Sequence, residues 1–270
     1  MSKSIKTYLK TAAKDYNYRS VNPPVVRAST ILFKTMQELR KHQKDIRKGK
    51  EVEHWDYGRQ GTQTTVQLQK LLRGLEEAHQ VFLTPTGFSA VALAIMSICR
   101  PGDEIVISDG VYRPTQKLAD ELLKEFNVKA IWYNPNNFKD LKNKITKKTK
   151  LIYVENPGSN TFEMNDLGKI VSLAKSKKIF TAIDNTWATA YFFKPLKLGF
   201  DIAITSATKY YSGHSDVMGG TVAVNKKVYN KVWWYNHVSG YRLSPDDAYL
   251  IIRGLRTLDI RMDKHQESTK

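Results

Sequence analysis

Seven short runs of apolar and β-branched residues follow one another along the chain, and several are separated by stretches long enough for a helix. Runs of this length are typical of strands that are buried on both faces of a sheet. Strands joined by helices predict an α/β fold, a mostly parallel sheet with helices on both faces. The runs are VFLT (81–84), EIVIS (104–108), KAIWY (129–133), KLIYVE (150–155), IFTAID (179–184), DIAITSA (201–207) and GTVAVN (220–225), and the helix-length segments fall at 89–99, 113–126, 137–147 and 164–178.

Several features of the chain argue against secretion and membrane insertion. The first 20 residues lack the apolar core and the small-residue cleavage site of a secretory signal. The longest apolar run, AVALAIMSI at 90–98, is too short to span a bilayer. Cys99 is the single cysteine of the sequence, which excludes an internal disulfide and suits a reducing compartment. We therefore expect a cytoplasmic protein with no membrane partner.

The net charge of +17 raises the question of nucleic-acid binding. Lysines outnumber arginines by 31 to 12, and they are scattered along the chain. Specific nucleic-acid surfaces favour arginine and concentrated basic patches with aromatic residues between them. We therefore expect no nucleic-acid partner, although a basic surface can still attract small anionic molecules.

The motifs of the common cofactor and metal sites are missing from the sequence. No G-x-G-x-x-G follows a predicted strand, and no G-x-x-x-x-G-K-[ST] occurs. The six histidines show no metal-ligand spacing, and one cysteine cannot build a zinc site. The sequence therefore argues against a dinucleotide, nucleoside triphosphate or metal enzyme. It leaves the polar residues at the strand ends as candidates.

Two charged residues lie where predicted strands end. Asp184 ends IFTAID, where it either caps a turn or pairs with a cationic ring nitrogen. Lys209 follows DIAITSA, and a lysine buried at such a position is costly unless it is paired or loses its charge. A Schiff base with an aldehyde removes that charge and makes the lysine a covalent catalyst. Ser206 and Thr208 flank Lys209 with hydroxyl groups, which suit a phosphate.

The stretches TPTGFSAVALAI and SDGVYRPT add further candidates. In the first, Gly87 and Phe88 lead from a strand into a helix, where free N–H groups can hold an anion, although an ordinary turn gives the same pattern. In the second, Tyr112 follows a strand and either joins the core or stacks on a planar ligand. Together with Asp184 and Lys209, these residues supply the groups that pyridoxal phosphate (PLP) requires.

Three stretches carry a resemblance to a known family: SATKYYSGHSDVMGG, AIDNTWA and RGLRTLDIRM. They make the chain, from about residue 20 to its end, similar to the PLP-dependent enzymes of Cys/Met metabolism, the trans-sulfuration enzymes. VNPPVVRASTILF, YGRQGTQTT and ENPGSNTFE are most similar to the bacterial cystathionine β-lyase branch. The resemblance implies the large domain of an aspartate aminotransferase-like, type I PLP fold.

The resemblance also implies a function for each candidate residue. Lys209 would hold PLP and act in catalysis, Asp184 would pair with the ring nitrogen, and Tyr112 would stack on the ring. The phosphate would be bound by backbone and hydroxyl groups of Gly87, Phe88, Ser206 and Thr208. No metal is implied.

Three more residues come from the resemblance alone. Ser159 would lie near the cofactor. Tyr57 and Arg59 would reach from one subunit into the neighbouring subunit's site and bind its phosphate there. The resemblance therefore implies a homodimer or a homotetramer.

The implied domain organisation has three parts. Residues 1–60 would form an irregular N-terminal arm with inter-subunit contacts, apart from a helix predicted in KTMQELRKHQKDIRKG, and residues 61–256 would form the PLP-binding large domain. Residues 257–270 would begin the helix that in relatives leads to a smaller C-terminal domain, which is absent here and which a separate polypeptide could supply. In relatives that domain supplies an arginine for the substrate carboxylate.

The implied activity is β-elimination of L-cystathionine to homocysteine, pyruvate and ammonia in methionine biosynthesis, with Lys209 or Tyr112 as the proton donor. Two alternatives stay open. The first is a cystathionine γ-synthase, cystathionine γ-lyase or O-acetylhomoserine sulfhydrylase. The second is an inactive truncated remnant that only binds the cofactor.

Overall fold

A seven-stranded sheet lies at the centre of the part of the chain that the computed structural model describes, residues 4–13, 20–47 and 55–270. Its strands are β1 (Gln80–Thr84), β2 (Glu104–Ser108), β3 (Lys129–Tyr133), β4 (Thr149–Glu155), β5 (Phe180–Asp184), β6 (Ile202–Ser206) and β7 (Gly220–Val224). They lie in the order β1-β7-β6-β5-β4-β2-β3. β7 is antiparallel to both of its neighbours, and the other pairs are parallel. The predicted α/β fold is confirmed, and each strand matches a predicted run to within one residue at each end.

Helices connect most of the strands, and further helices precede β1 and follow β7. The α-helices of the described ranges are α1 (Ile5–Thr11), α2 (Met36–Arg47), α3 (Gln63–Glu76), α4 (Gly87–Ile98), α5 (Arg113–Lys117), α6 (Leu123–Glu125), α7 (Phe138–Lys144), α8 (Leu167–Lys177), α9 (Thr189–Phe192), α10 (Pro195–Leu198), α11 (Tyr229–Ser239), α12 (Pro245–Leu255) and α13 (Leu258–Ser268). A π-helical turn, Leu118–Leu122, joins α5 to α6, and a 3₁₀ turn, Gly58–Gln60, precedes α3. Within the described ranges, no helix combines the length and the apolar character needed to cross a bilayer.

Successive residues of the central strands pack on opposite faces of the sheet. In β2, Ile105 and Ile107 belong to one apolar cluster, whereas Val106 belongs to the other. The first cluster includes residues of α4 and α11, and the second includes residues of α3, α8 and α12. Because helices cover both faces, the strands are mostly apolar, as the sequence indicates.

The described residues of the first 60 include two helices, of which α1 packs on the rest of the fold. Leu9 of α1 is fully buried, and the Tyr8 hydroxyl donates a hydrogen bond to the Leu71 carbonyl oxygen at 2.9 Å. Lys10 forms an ion pair of 2.5 Å with the buried carboxylate of Asp259 in α13. The beginning of the chain is therefore tied to both α3 and α13.

The carboxyl ends of the parallel strands meet at one edge of the sheet. Glu155 ends β4 opposite Asp184, which ends β5, and β5 pairs in parallel with β6. The antiparallel strand β7 starts at the same edge, where Gly220 lies opposite both Ser206 of β6 and Thr84 of β1. In α/β sheets of this kind, ligands bind at the carboxyl ends of the strands. The fold therefore brings most of the predicted site residues to the expected edge.

Candidate active site

Asp184 presents a buried carboxylate at the end of β5, with 8% of the residue exposed. One of its oxygens accepts a hydrogen bond from the Thr186 N–H at 2.9 Å, so the residue also closes the turn that follows the strand. Burial raises the pKa of Asp184, and the hydrogen bonds from Thr186 partly oppose that rise. Within the described ranges, no cationic side chain contributes to stabilising the charge. A protonated ring nitrogen is the kind of ligand that would supply it.

Glu155 is a functional candidate that the sequence reasoning missed. It lies opposite Asp184 in the sheet, and its carboxylate accepts a hydrogen bond from the Tyr112 N–H at 2.7 Å. Burial and the charge of Asp184 raise the pKa of Glu155 to about 8, against hydrogen bonds from Tyr112 and Ser159. Two buried carboxylates that lie side by side do not both ionise readily. The signal was present, since KLIYVE ends in a carboxylate just as IFTAID does.

Tyr112 lies at the same edge and has 48% of its surface exposed, so it is not a core residue. It is the N-cap residue of α5, and its backbone is fixed by the bond to Glu155. Ser159 is close by, with its N–H donating to the Gly110 carbonyl oxygen at 2.7 Å. The exposed ring is free to contact a planar ligand at the strand ends.

The start of α4 provides an anion-binding arrangement. Thr86 is its N-cap, and the Thr86 hydroxyl accepts from the Ser89 N–H at 3.0 Å. The N–H groups of Gly87 and Phe88 have no hydrogen-bond acceptor among the described residues. A Cβ on Gly87 would lie 2.6 Å from the Cβ of Ser206, a distance at which something must shift. Glycine therefore lets the helix start approach the end of β6, where free N–H groups and a hydroxyl come together.

Ser206 and Thr208 are held in place by different hydrogen bonds. The Thr208 hydroxyl bonds to the backbone of Gly219, accepting from its N–H at 3.1 Å and contacting its carbonyl oxygen at 3.2 Å. Ser206 donates its N–H to the Thr186 hydroxyl at 2.8 Å, which ties the end of β6 to the loop after Asp184. Ser206 faces Gly87 directly, whereas Thr208 is held in the loop that leads to β7.

Lys209 lies in a tight turn after β6, and its side chain is exposed. The turn is closed by backbone hydrogen bonds from the Lys209 N–H to the Ser206 carbonyl at 3.1 Å and from the Gly213 N–H to the Lys209 carbonyl at 2.8 Å. The prediction that Lys209 is buried is therefore wrong. The short turn carries the amine beyond the buried strand into the open edge of the sheet, where an aldehyde can reach it.

Tyr57 and Arg59 are not brought to this edge by any contact within the described part of the chain. Tyr57 is 44% exposed, and the Arg59 guanidinium carbon lies 5.8 Å from its ring centroid. Arg59 donates to the carbonyl oxygen of His237, at the end of α11, at 3.3 Å. Both side chains are on the surface and available to another molecule.

The residues present fit PLP. The cofactor carries an aldehyde, a ring nitrogen that is cationic when protonated, and an anionic phosphate. The edge of the sheet offers an exposed amine at Lys209, a buried carboxylate without a cation at Asp184, and free N–H groups at the start of α4. Each of these groups complements one part of the cofactor.

Comparison with known proteins matches almost the whole chain to one family. The model of the Cys/Met metabolism PLP-dependent enzymes matches residues 6–270. A putative cystathionine beta-lyase of Rhizobium johnstonii is 38% identical over 92% of this chain, and the cystathionine beta-lyase MetC of Escherichia coli is 35% identical over 99% of it. The crystal structure of a cystathionine gamma synthase from Xanthomonas oryzae, in complex with aminoacrylate and cysteine, has a TM-score of 0.87 and is 29% identical over 96% of this chain.

The chain is shorter than these relatives. It spans 60% of the Rhizobium protein, 68% of the E. coli protein and 65% of the Xanthomonas chain. The similarity therefore includes every candidate residue of the strand edge, but it leaves between about a third and two fifths of each relative without a counterpart in the sequence.

Proposed function

The chain belongs to the Cys/Met metabolism PLP-dependent enzymes, and on that premise we propose that it is a carbon–sulfur lyase of the cystathionine β-lyase type. The observation that carries the cofactor chemistry is that the Asp184 carboxylate and the turn that contains Lys209 lie at the same end of the sheet. The choice of β-elimination from L-cystathionine is supported by the names of the relatives from Rhizobium and E. coli. The proposal includes a cytoplasmic location and a step in methionine biosynthesis.

The chemistry divides between the cofactor and the chain. When bound, PLP supplies an electron sink for the electrons released at the substrate's α-carbon. Lys209 would hold PLP covalently until the amino group of the substrate replaces Nζ on the aldehyde carbon, and the freed Nζ would then take the α-proton. Asp184 would keep the ring nitrogen protonated. As the Cβ–S bond breaks, the Tyr112 hydroxyl or the Lys209 Nζ would give a proton to the homocysteine sulfur. The remaining three-carbon product would yield pyruvate and ammonia by hydrolysis.

The other candidates would bind and orient the cofactor. The N–H groups of Gly87 and Phe88 and the hydroxyls of Ser206 and Thr208 would bind the phosphate, although Thr208 must then share a hydroxyl that bonds to Gly219. Ser159 acts through Glu155, which fixes the backbone of Tyr112.

The proposed assembly uses the N-terminal residues of a second subunit. Tyr57 and Arg59 are exposed, and Arg59 bonds to the His237 carbonyl oxygen of α11, so both side chains are accessible to a neighbouring subunit. We include a homodimer or homotetramer in the proposal, with residues 1–60 as the arm, 61–256 as the cofactor domain and 257–270 as the link to a further domain.

A methyl group added at Gly87 is expected to weaken PLP binding. In Gly87→Ala the new Cβ must push against Ser206, because the two carbon atoms would lie 2.6 Å apart. We expect the dissociation constant for PLP to rise by about tenfold or more, since a shift of the helix start misaligns its N–H donors. Gly168→Ala is a matched control, because Gly168 lies in the first turn of α8 and the nearest atom to its Cβ would be 3.7 Å away. Equal affinities in wild type and Gly87→Ala would remove Gly87 from the phosphate site.

The products formed from L-cystathionine distinguish the proposed activity from its alternatives. β-Elimination gives pyruvate, whereas γ-elimination gives 2-oxobutyrate. The resemblance to the Xanthomonas gamma synthase keeps γ-chemistry as the second candidate. We expect pyruvate from the purified chain with PLP. Release of 2-oxobutyrate would favour the γ-branch, and a bound cofactor without either product would favour the remnant that only binds cofactor.

A further inference from the structure

A buried hydrogen bond joins Glu76 to Tyr211, which follows the candidate site residue Lys209 by two positions. The Tyr211 hydroxyl donates to a carboxylate oxygen of Glu76 at 2.6 Å. Tyr211 is fully buried and Glu76 is 1% exposed. Burial and the carboxylate together raise the pKa of Tyr211, so its hydroxyl stays protonated and remains a donor. No step of the proposed reaction uses either residue.

Burial of the Glu76 carboxylate lowers the stability of the fold. It is the last residue of α3, and the negative end of the helix dipole disfavours a carboxylate there. Its second oxygen has no hydrogen-bond partner among the described residues. Burial raises the pKa of Glu76 to about 7, although the bond from Tyr211 and the nearby charge of Lys194 lower it. An apolar side chain of similar size would avoid this cost, so the carboxylate calls for an explanation beyond stability.

Tyr211 connects Glu76 to two segments that carry site residues. It belongs to the turn of residues 206–213, which we call the Lys209 turn, and it follows Lys209 by two positions. Its hydroxyl oxygen also accepts from the Ala190 N–H, at 3.4 Å. Ala190 lies at the start of α9, which ends the loop that begins at Asp184. One phenol therefore contacts α3, the Lys209 turn and the segment after Asp184.

We propose that the hydrogen-bonded pair of Glu76 and Tyr211 is a positioning device that fixes the Lys209 turn relative to the segment after Asp184. The inference rests on the proposed function, because it takes Lys209 as the anchor of the cofactor. Neither residue of the pair touches the cofactor. They act through the backbone, by holding the turn that aims the amine and the loop that follows the carboxylate.

Amide hydrogen exchange of the cofactor-free chain tests the effect on the turn directly. In Glu76→Gln and in Tyr211→Phe we expect the amides of residues 206–213 to exchange about tenfold faster, since a short buried hydrogen bond is weakened or lost. The amides of α8, on the same face of the sheet, should keep their rates. Acceleration that is equal in α8 and in the Lys209 turn would indicate a general loss of stability and overturn the proposal.

PLP binding supplies the second measurement, and the chain offers matched controls. We expect both variants to raise the dissociation constant for PLP by about tenfold. Glu77→Gln removes the neighbouring carboxylate, which is exposed and paired with Lys194 at 2.5 Å. Tyr8→Phe removes a phenol that bonds to the same helix at Leu71. Both controls should behave like wild type. Faster exchange with unchanged PLP affinity would overturn the positioning function.

The two measurements separate this inference from the proposed function. If the wild-type chain forms no covalent adduct with PLP at Lys209, the proposed function fails. Hydrogen exchange then shows on its own that the pair does or does not hold the turn. If wild type binds PLP and the variants match it in both measurements, the inference fails while the proposed function stands.

Discussion

Replacement of Lys209 by alanine is expected to abolish the visible absorption band that the chain forms with PLP and to lower carbon–sulfur lyase activity by about 10⁴-fold or more. In the proposed reaction the Lys209 amine binds the aldehyde covalently and is also the base for the α-proton. The turn after β6 lets it do both, because the exposed Lys209 side chain can reach a ligand at the carboxyl ends of the strands. Spectra of both proteins with PLP, followed by a pyruvate assay, give the result.

A lysine at the other edge of the sheet is a suitable control. Lys226 is exposed and follows β7, at the end of that strand far from Gly220. Lys226→Ala removes the same charge without touching the proposed site and should keep the absorption band. Reduction with borohydride and peptide mass analysis should find the cofactor on Lys209 in wild type. An adduct on another lysine, with an intact band in Lys209→Ala, would refute the assignment.

The strands and their carboxyl ends could be predicted from sequence because local pattern determines them. Each strand is a short apolar run, and a charged residue directly after such a run has to lie at the sheet edge. Asp184 and Lys209 were found in this way. Glu155 met the same criterion and was missed, because its importance depends on lying opposite Asp184 in the assembled sheet, and strand order is not a local property.

Features that depend on tertiary packing were less accessible to sequence reasoning. The antiparallel insertion of β7 between β1 and β6 has no local signal, since its apolar run resembles those of the parallel strands. α1 was not foreseen because it is only 7 residues long, and it is held mainly by burial of Leu9 and its contacts with α3 and α13. The pair of Glu76 and Tyr211 joins residues that are 135 positions apart. Contacts of that kind become visible only once the chain is folded.

Asp184→Asn is expected to have opposite effects on function and on stability. Without the carboxylate, nothing at the end of β5 keeps the ring nitrogen protonated, and we expect activity to fall by about 10³-fold, the upper range for loss of one preorganised electrostatic contact. The amide oxygen can still accept from the Thr186 N–H, so the turn after the strand should survive. A pyruvate assay at saturating PLP measures the first effect.

The stability effect follows from the direction of the pKa shifts. Burial raises the pKa of Asp184, so the stability associated with its protonated form is present below its unfolded pKa and is lost as the pH rises through the folded value. Its charge also helps to raise the pKa of Glu155 to about 8. Asp184→Asn should therefore make the cofactor-free chain more stable than wild type at about pH 8, and the difference should become smaller as the pH is lowered to about 4, because protonation removes the buried charge. Urea unfolding at both pH values measures the change.

A second buried aspartate, Asp201, shows why the predicted gain in stability is specific to Asp184. Asp201 is 5% exposed, but it accepts hydrogen bonds from the Thr181 N–H at 3.0 Å and the Asn225 amide at 2.9 Å, and it pairs with Lys227 at 3.3 Å. Its charge is compensated within the chain, so Asp201→Asn should lower stability at about pH 8. Among the residues that the structure describes, no cation of this kind acts on Asp184, and a protonated ring nitrogen of the cofactor would supply one. If Asp184→Asn destabilised the cofactor-free chain as Asp201→Asn does, the carboxylate would be a structural group, and the cofactor would not be what compensates its charge.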